Sequence, residues 1–173
     1  MEYSTNRLTL AIQQPRANLF SFRLSPTLQN AYVEITTSLS LCTGNDSYGL
    51  LYRVSSIQDF YRVLINCNGL IRLERIRNGV VNALQDWTIS SQLSAGAPLS
   101  VRLGVWIKGT TFRIFINRAF QFEASDDAFS SGWLGVFARS AGTTSVTVNF
   151  SDLQVFNLSP SSRTPVITPL VTP

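Results

Sequence analysis

The chain has 173 residues, of which 45% are hydrophobic and 14% charged, with a net charge of +4 and no histidine. A chain of this length suits one domain and buries roughly 70% of its unfolded surface, enough for a core without metal staples. The missing histidine removes the Ser-His-Asp and Cys-His nucleophile systems and the usual zinc sites, and no apolar run reaches the roughly 18 residues a membrane helix needs, so direct membrane insertion is not expected.

From the N-terminus onward, apolar and polar residues alternate with period two. The segments are "RLTLAI", "LFSFRL", "AYVEITTSLSL", "YGLLYRV", "FYRVLIN", "LIRLERI", "VRLGVWI", "FRIFIN", "FQFE", "WLGVFA" and "VTVNFSDLQVF", and they read as strands. Turn formers fill the breaks: Gly44-Asn45-Asp46, Asn68-Gly69, Asn78-Gly79, Lys108-Gly109, Ser131-Gly132 and Gly142. No stretch holds helical spacing for three turns, although a turn or two of helix around Gln85 or Asp126 is compatible with the pattern. The expected fold is all-β: a two-sheet antiparallel β-sandwich, or jelly roll, of about 11–12 short strands over residues 1–158. Leu50, Tyr52, Leu64, Leu73, Leu103, Val105, Ile114, Ile116, Phe122, Val136, Val148 and Phe150 are expected in its core. From Ser159 the composition changes to "SPSSRTPVITPLVTP", so 159–173 reads as a Pro/Thr-rich tail or linker, either loose or packed on a neighbouring domain or subunit.

The basic residues are almost all arginine and are spread along the chain. The densest set, Arg72, Arg75 and Arg77, is interleaved with Leu73, Glu74 and Ile76, which reads as a solvated strand face rather than a phosphate-binding stripe, so nucleic acid is not an expected partner. Carboxylates are few and isolated, whereas glycoside cleavage needs two facing carboxyl groups about 5–10 Å apart. The adjacent pair Asp126-Asp127 would point to opposite faces of a strand and reads as a turn. A structural calcium there is the one conceivable cofactor, and otherwise no metal, cofactor or catalytic set is expected. Three triplets, beginning at Asn45, Asn149 and Asn157, fit the glycosylation acceptor pattern and carry no weight alone.

Two features point to function. Trp106 is out of phase with Val101, Leu103, Val105 and Ile107, so it shares a face with Arg102 and Lys108. Phe115 likewise shares a face with Arg113 and Asn117. Rings beside hydrogen-bonding side chains are equipment for stacking a sugar or an apolar patch of a partner, unless a second hydrophobic layer covers them. Cys42 closes a long strand and Cys67 sits in the Asn66-Cys67-Asn68-Gly69 hairpin turn. If the intervening strand lies between them, the two meet at one sheet end and bridge; two buried thiols are the alternative.

The order of pieces resembles a known family. "DSYGLLYRVSSIQDFYRVLINCNGLIRLERIRNG", "LQDWT", "VRLGVWIKGTTFRIFINRAFQFEASDDAFSSGWLGVFARS" and "VTVNFSDLQVF" together are similar to a bacterial extracellular module of the concanavalin A-like lectin/glucanase superfamily, the laminin-G-like jelly roll. The matching positions include Tyr48, Gly49, Leu50 and Arg53; Phe60, Tyr61, Ile65 and Gly69; Asp86, Trp87 and Thr88; Gly109, Phe112, Ile116 and Asn117; Gly132, Gly135 and Phe137. Arg118 replaces the family's Gly in an Asn-Gly hairpin turn, which predicts a longer turn or one of another type. The family's usual opening stretch is absent, so Met1 is expected to begin a piece of a larger exported protein. The resemblance implies a β-sandwich that binds or scaffolds, and some of these relatives place a cysteine at each of the positions of Cys42 and Cys67.

The expectation is a non-catalytic extracellular or cell-surface module that recognises carbohydrate or another surface polymer through Trp106, Phe115, Arg102, Arg113 and Asn117, with Cys42 and Cys67 bridged. A structural module that assembles a sheath or surface layer with other domains or subunits, through its edges and tail, is the alternative. A glycoside-cleaving enzyme is less favoured, for want of a carboxylate pair.

Overall fold

The computed structural model describes residues 7–158, and the expected tail, 159–173, lies outside them. Twelve strands follow in chain order: β1 (Arg7–Ile12), β2 (Asn18–Leu28), β3 (Ala31–Leu41), β4 (Ser47–Ser56), β5 (Asp59–Asn66), β6 (Leu70–Arg77), β7 (Val80–Ile89), β8 (Leu99–Lys108), β9 (Thr111–Ile116), β10 (Ala119–Ser125), β11 (Gly132–Arg139) and β12 (Val146–Asn157). No helix occurs among the described residues: Gln85 lies in β7 and Asp126 in an irregular connection. The strands form two six-stranded antiparallel sheets, sheet A in the order β1-β12-β3-β8-β9-β10 and sheet B in the order β2-β11-β4-β5-β6-β7. The architecture is the expected β-sandwich. Only β7 lacks a counterpart among the alternating segments, because it is an edge strand with most of its side chains in water.

Between the sheets, alternate residues of each strand interdigitate, as the period-two pattern requires. Val33 and Ile35 of β3, Leu103, Val105 and Ile107 of β8, and Ile114 and Ile116 of β9 face Leu50 and Tyr52 of β4, Val63 and Ile65 of β5 and Leu73 of β6. Every residue expected in the core is buried. Leu64, however, is buried in a different place. With Leu51, Val54, Phe60, Ile76 and Phe137 it forms a second hydrophobic layer on the outer side of sheet B, flanked by Phe22 and Trp133. That is why β5 is buried on both faces after its first residue. A second layer was the alternative explanation for Trp106 and Phe115, and a layer of this kind lies instead on the opposite sheet.

Three local expectations need correction. Arg72, Arg75 and Arg77 do not form one solvated face. Arg72 and Glu74 point outward from sheet B and pair at 3.1 Å, while Arg75, odd in number, turns to the other side and meets Asp126 at 2.6 Å. The β9–β10 turn is not lengthened by Arg118. Ile116 pairs directly with Ala119, and Asn117 and Arg118 both take positive φ, 50° and 67°, the two-residue turn whose twist matches a hairpin. Arg118 adopts the left-handed backbone that glycine would hold without strain, at a cost of about 1 kcal/mol. The cysteines bridge, but not on one sheet: Cys42 follows β3 in sheet A and Cys67 follows β5 in sheet B, with Cα atoms 5.8 Å apart. The bond therefore ties the two layers together at one end of the sandwich.

Candidate functional site

Of the five residues singled out in the sequence, Arg102, Trp106, Arg113 and Phe115 lie on the outer face of sheet A and Asn117 lies in the β9–β10 turn at its end. Strand β8 sits between β3 and β9, and the register sets Trp106 opposite both Tyr32 and Arg113, Gly104 opposite Glu34 and Phe115, and Arg102 opposite Thr36. One row across the sheet therefore reads Phe156, Tyr32, Trp106, Arg113, Glu123, and the next reads Gln154, Glu34, Gly104, Phe115, Phe120. Tyr32 leans over Gly104, where an added Cβ would come within 2.6 Å of its hydroxyl. Glycine here lets the phenol reach Glu34 at 2.7 Å and meet Phe115 edge to face.

Two kinds of group result. Four rings form a stripe, Phe156 to Tyr32 to Phe115 to Phe120, with centroids 5.9 to 6.1 Å apart, the spacing of favourable aromatic pairs. Its ends are the freest, with Phe120 58% and Phe156 50% exposed. Beside the stripe, the half-buried Trp106 carries the Arg113 guanidinium 4.9 Å from its ring centre, and Arg113 pairs with Glu123 at 2.6 Å. Glu34 is buried among Tyr32, Arg102 at 3.0 Å and Arg118 at 3.6 Å. Burial, followed by the hydrogen bond to the Glu34 carboxylate, pushes the Tyr32 hydroxyl up to about 12, so at neutral pH it stays a donor. Asn117 is partly committed: its side-chain oxygen accepts the Arg102 N–H at 2.9 Å, and its own N–H donates to the Arg102 carbonyl at 2.8 Å.

Sequence reasoning missed Tyr32, Glu34, Phe120, Glu123 and Phe156. The signal was present for most of them. Tyr32 and Glu34 are out of phase with Ala31, Val33 and Ile35, and Glu123 with Phe122, whereas Phe120 is in phase with Phe122 and only the register shift between them turns it outward. What was hidden was the pairing of β3 with β8, residues 60 or more positions apart.

Arg118 offers a separable test. Its contact with Glu34 is long and its side chain 70% exposed, so the pair is worth well under 1 kcal/mol. Relief of the left-handed backbone should outweigh it. Arg118→Gly is expected to raise stability by about 0.5 kcal/mol in a denaturant melt, allowing for the extra freedom glycine gains when unfolded. A lower midpoint would show that the Glu34 cluster needs Arg118.

Carboxylate geometry bears on catalysis. Glu34 on β3 and Glu123 on β10 are three strands apart, about 14 Å at the usual strand spacing, beyond the range of a glycosidase pair. Glu74 and Asp86, on the outer side of sheet B, both approach Arg72 Nε, at 3.1 and 3.7 Å. Glu74 is held by Arg62 through Nε and a terminal nitrogen on one oxygen and by Arg72 on the other, which suits an ion-pair anchor. Asp126 accepts Tyr61 Oη and Arg75, both at 2.6 Å, and the Ala128 N–H at 3.0 Å. Among the described residues, Cys42, Asp46 and Cys67 come close enough to suggest metal ligation. The two sulfurs are bonded to each other, and Asp46 accepts the N–H groups of Thr43 and Ala141 at 3.0 and 2.7 Å, so the group is a structural clasp.

No protein-family model matches the chain, and no curated protein matches it. Solved structures do. The carbohydrate-binding module CBM66 from Bacillus subtilis superposes with a TM-score of 0.66 at 17% identity, over 91% of this chain and 99% of that one. Sheep galectin-11 does so with a TM-score of 0.56 at 11% identity, over 84% and 99%. The GH43 protein BlXynB from Bacillus licheniformis matches with a TM-score of 0.56 at 11% identity, over 74% of this chain but 27% of its own. The likeness establishes the two-sheet β-sandwich fold.

Proposed function

We propose that the chain is a non-catalytic carbohydrate-binding module that works outside the reducing cytosol, and that its glycan lies on the outer face of sheet A. The observation that carries this reading is the assembly, on one face, of a ring stripe and two Arg–Glu ion pairs. The rings meet the C–H face of a sugar, and the guanidinium and carboxylate groups bracket its hydroxyls. The name of the Bacillus subtilis neighbour, a carbohydrate-binding module, agrees with this. A disulfide of this kind agrees with an extracellular or cell-surface setting, and the laminin-G-like resemblance of the motifs with a bacterial surface protein.

A glycan array followed by calorimetry tests it. Trp106→Ala and Phe120→Ala are each expected to weaken binding roughly tenfold to a hundredfold, the effect of removing about 1.5–3 kcal/mol of stacking and burial. Glycan binding that is indifferent to both would place the site elsewhere.

One observation favours a second reading. Edge strand β7 exposes Val80, Val81 and Ile89, and an open edge with apolar side chains is a template for pairing with another chain. Assembly through edges and tail would appear as a mass increase in light scattering, reduced on removal of 159–173.

A further inference from the structure

The opposite face of the sandwich carries a basic cleft that the glycan surface on sheet A does not use. It has a volume of about 480 Å³ and is formed by Arg16, Asn18, Phe20, Arg62, Arg139 and the Ser140–Ala141 segment. Register explains the gathering. Asn18 opens β2 opposite Arg139, which closes β11, and Phe20 and Phe137 make the next outward pair. Arg62 reaches in from β5, its guanidinium 5.1 Å from the Phe137 ring centre.

The arginines differ in how they are neutralised. Arg62 is paired with Glu74 at 2.6 Å, and Arg72, Arg75, Arg102, Arg113 and Arg118 also have carboxylate partners. Arg16 and Arg139 have none among the described residues, so the cleft holds two uncompensated positive charges. Its walls are pinned. Arg16 takes a left-handed backbone, φ 53°, with its N–H on the Gly142 carbonyl at 3.2 Å; the Ser140 N–H donates to Ala17 at 2.9 Å; and the buried Asp46 carboxylate holds the Ala141 N–H at 2.7 Å. A loop bound at three points presents its charges without first having to order itself. Beside them, Phe20 packs against Phe22, Phe60 and Phe137 yet stays 41% exposed, so part of its ring is available next to the guanidinium groups.

We propose that this cleft binds the acid group of an anionic saccharide, with Arg16 and Arg139 on a carboxylate or sulfate and Phe20 against the sugar ring that bears it. Guanidinium forks match the geometry of both oxyanions, and an apolar ring at the rim selects an acid carried on a bulky body over a free inorganic ion. The choice of a saccharide as the carrier rests on the carbohydrate-binding reading; the oxyanion site itself does not.

Affinity electrophoresis and calorimetry on the full chain test it, with oligogalacturonate as the carboxylate probe, dextran sulfate oligosaccharide as the sulfate probe and neutral dextran as the blank. At least one acidic probe is expected to bind, more weakly as salt rises, and the double variant Arg16→Gln/Arg139→Gln to lose at least tenfold in affinity with an unchanged melting temperature. Arg23→Gln/Arg77→Gln, which removes the same charge elsewhere on the surface, should retain binding, and so should Trp106→Ala. Failure of both acidic probes to bind, or equal loss in the two arginine pairs, overturns the site. Loss of acidic-probe binding in Trp106→Ala with retention in Arg16→Gln/Arg139→Gln would move the acidic sugar to sheet A and overturn this cleft while leaving the carbohydrate reading intact.

Discussion

Replacing Arg53 with methionine is expected to destabilise the protein by about 3–5 kcal/mol, a large part of the 5–15 kcal/mol typical of a domain. The side chain is 2% exposed, and no carboxylate pairs with it among the described residues. Its guanidinium donates instead to three backbone carbonyls: Gln29 at 2.7 and 3.2 Å, Phe129 at 2.8 Å and Gly109 at 2.9 Å. These belong to the β2–β3, β10–β11 and β8–β9 connections, so one residue closes an end of the sandwich across both sheets. Burial lowers the affinity of the guanidinium for its proton, yet arginine starts so high that it stays charged. Methionine would fill much of the volume and take the donors from three loop carbonyls, each loss costing up to about 1–3 kcal/mol and least at Gln29 and Gly109, which are exposed. The melting temperature should fall by about 10 °C. Arg53→Lys keeps the charge but not the fork, and should recover only part of the loss. A midpoint within about 1 kcal/mol of the parent for Arg53→Met would show that the three loops hold without it.

The backbone at this point is built around that side chain. Pairing between β4 and β5 slips between Tyr52 and Ser56, and Arg53 itself takes φ 49°, which aims it at the loops. On the neighbouring strand Gly132 passes so close that a Cβ would lie 2.4 Å from the Arg53 carbonyl carbon. In the sequence Gly132 stood out as a turn former and Arg53 only as a position of a motif, with no reason attached. Alternation could not supply one, because a bulge breaks the alternation.

That contrast runs through the molecule. Where a strand has one dry face, as in β8 and β9, period two predicted the inward residues and, by elimination, the outward Trp106, Phe115, Arg102 and Arg113. Where both faces are covered, as in β5, alternation assigned Leu64 to the interior without separating the two layers. Where the strand is an edge, as in β7, it was silent. The partners of the candidate site were harder still. Glu34 binds Arg102 across 68 positions of sequence, and Arg16 lines a cleft with Arg139 only because β11 lies beside β2 in sheet B. Local pattern states which way a side chain points, while strand order decides whom it meets, and that order comes from long-range packing.

Reduction of the Cys42–Cys67 bond is the second large effect, expected to cost about 3.5 kcal/mol. The bond closes a loop of 25 residues, and the chain-entropy model assigns about that much to a loop of this size. The enclosed segment holds all of β4 and β5, including Leu50, Tyr52, Val63 and Ile65, which supply much of sheet B's share of the central core. In the reduced unfolded chain these strands search freely; with the bond intact they remain tethered to the end of β3. The bond also works with its neighbours. Asp46, four residues after Cys42, accepts N–H groups from Thr43 and from Ala141 across the chain, and the Cys67 N–H donates to the Asp46 carbonyl at 3.0 Å. Cys42→Ser/Cys67→Ser should therefore loosen the 140–142 loop as well as lower global stability, and hydrogen exchange at Ala141 should rise ahead of exchange in β8. Intact mass after thiol alkylation checks the bond itself: no alkyl group before reduction and two after. Two alkylated cysteines in the unreduced, unfolded protein would refute it. A double serine variant as stable as the parent would show that the hydrogen bonds of Asp46 hold the sheets together without it.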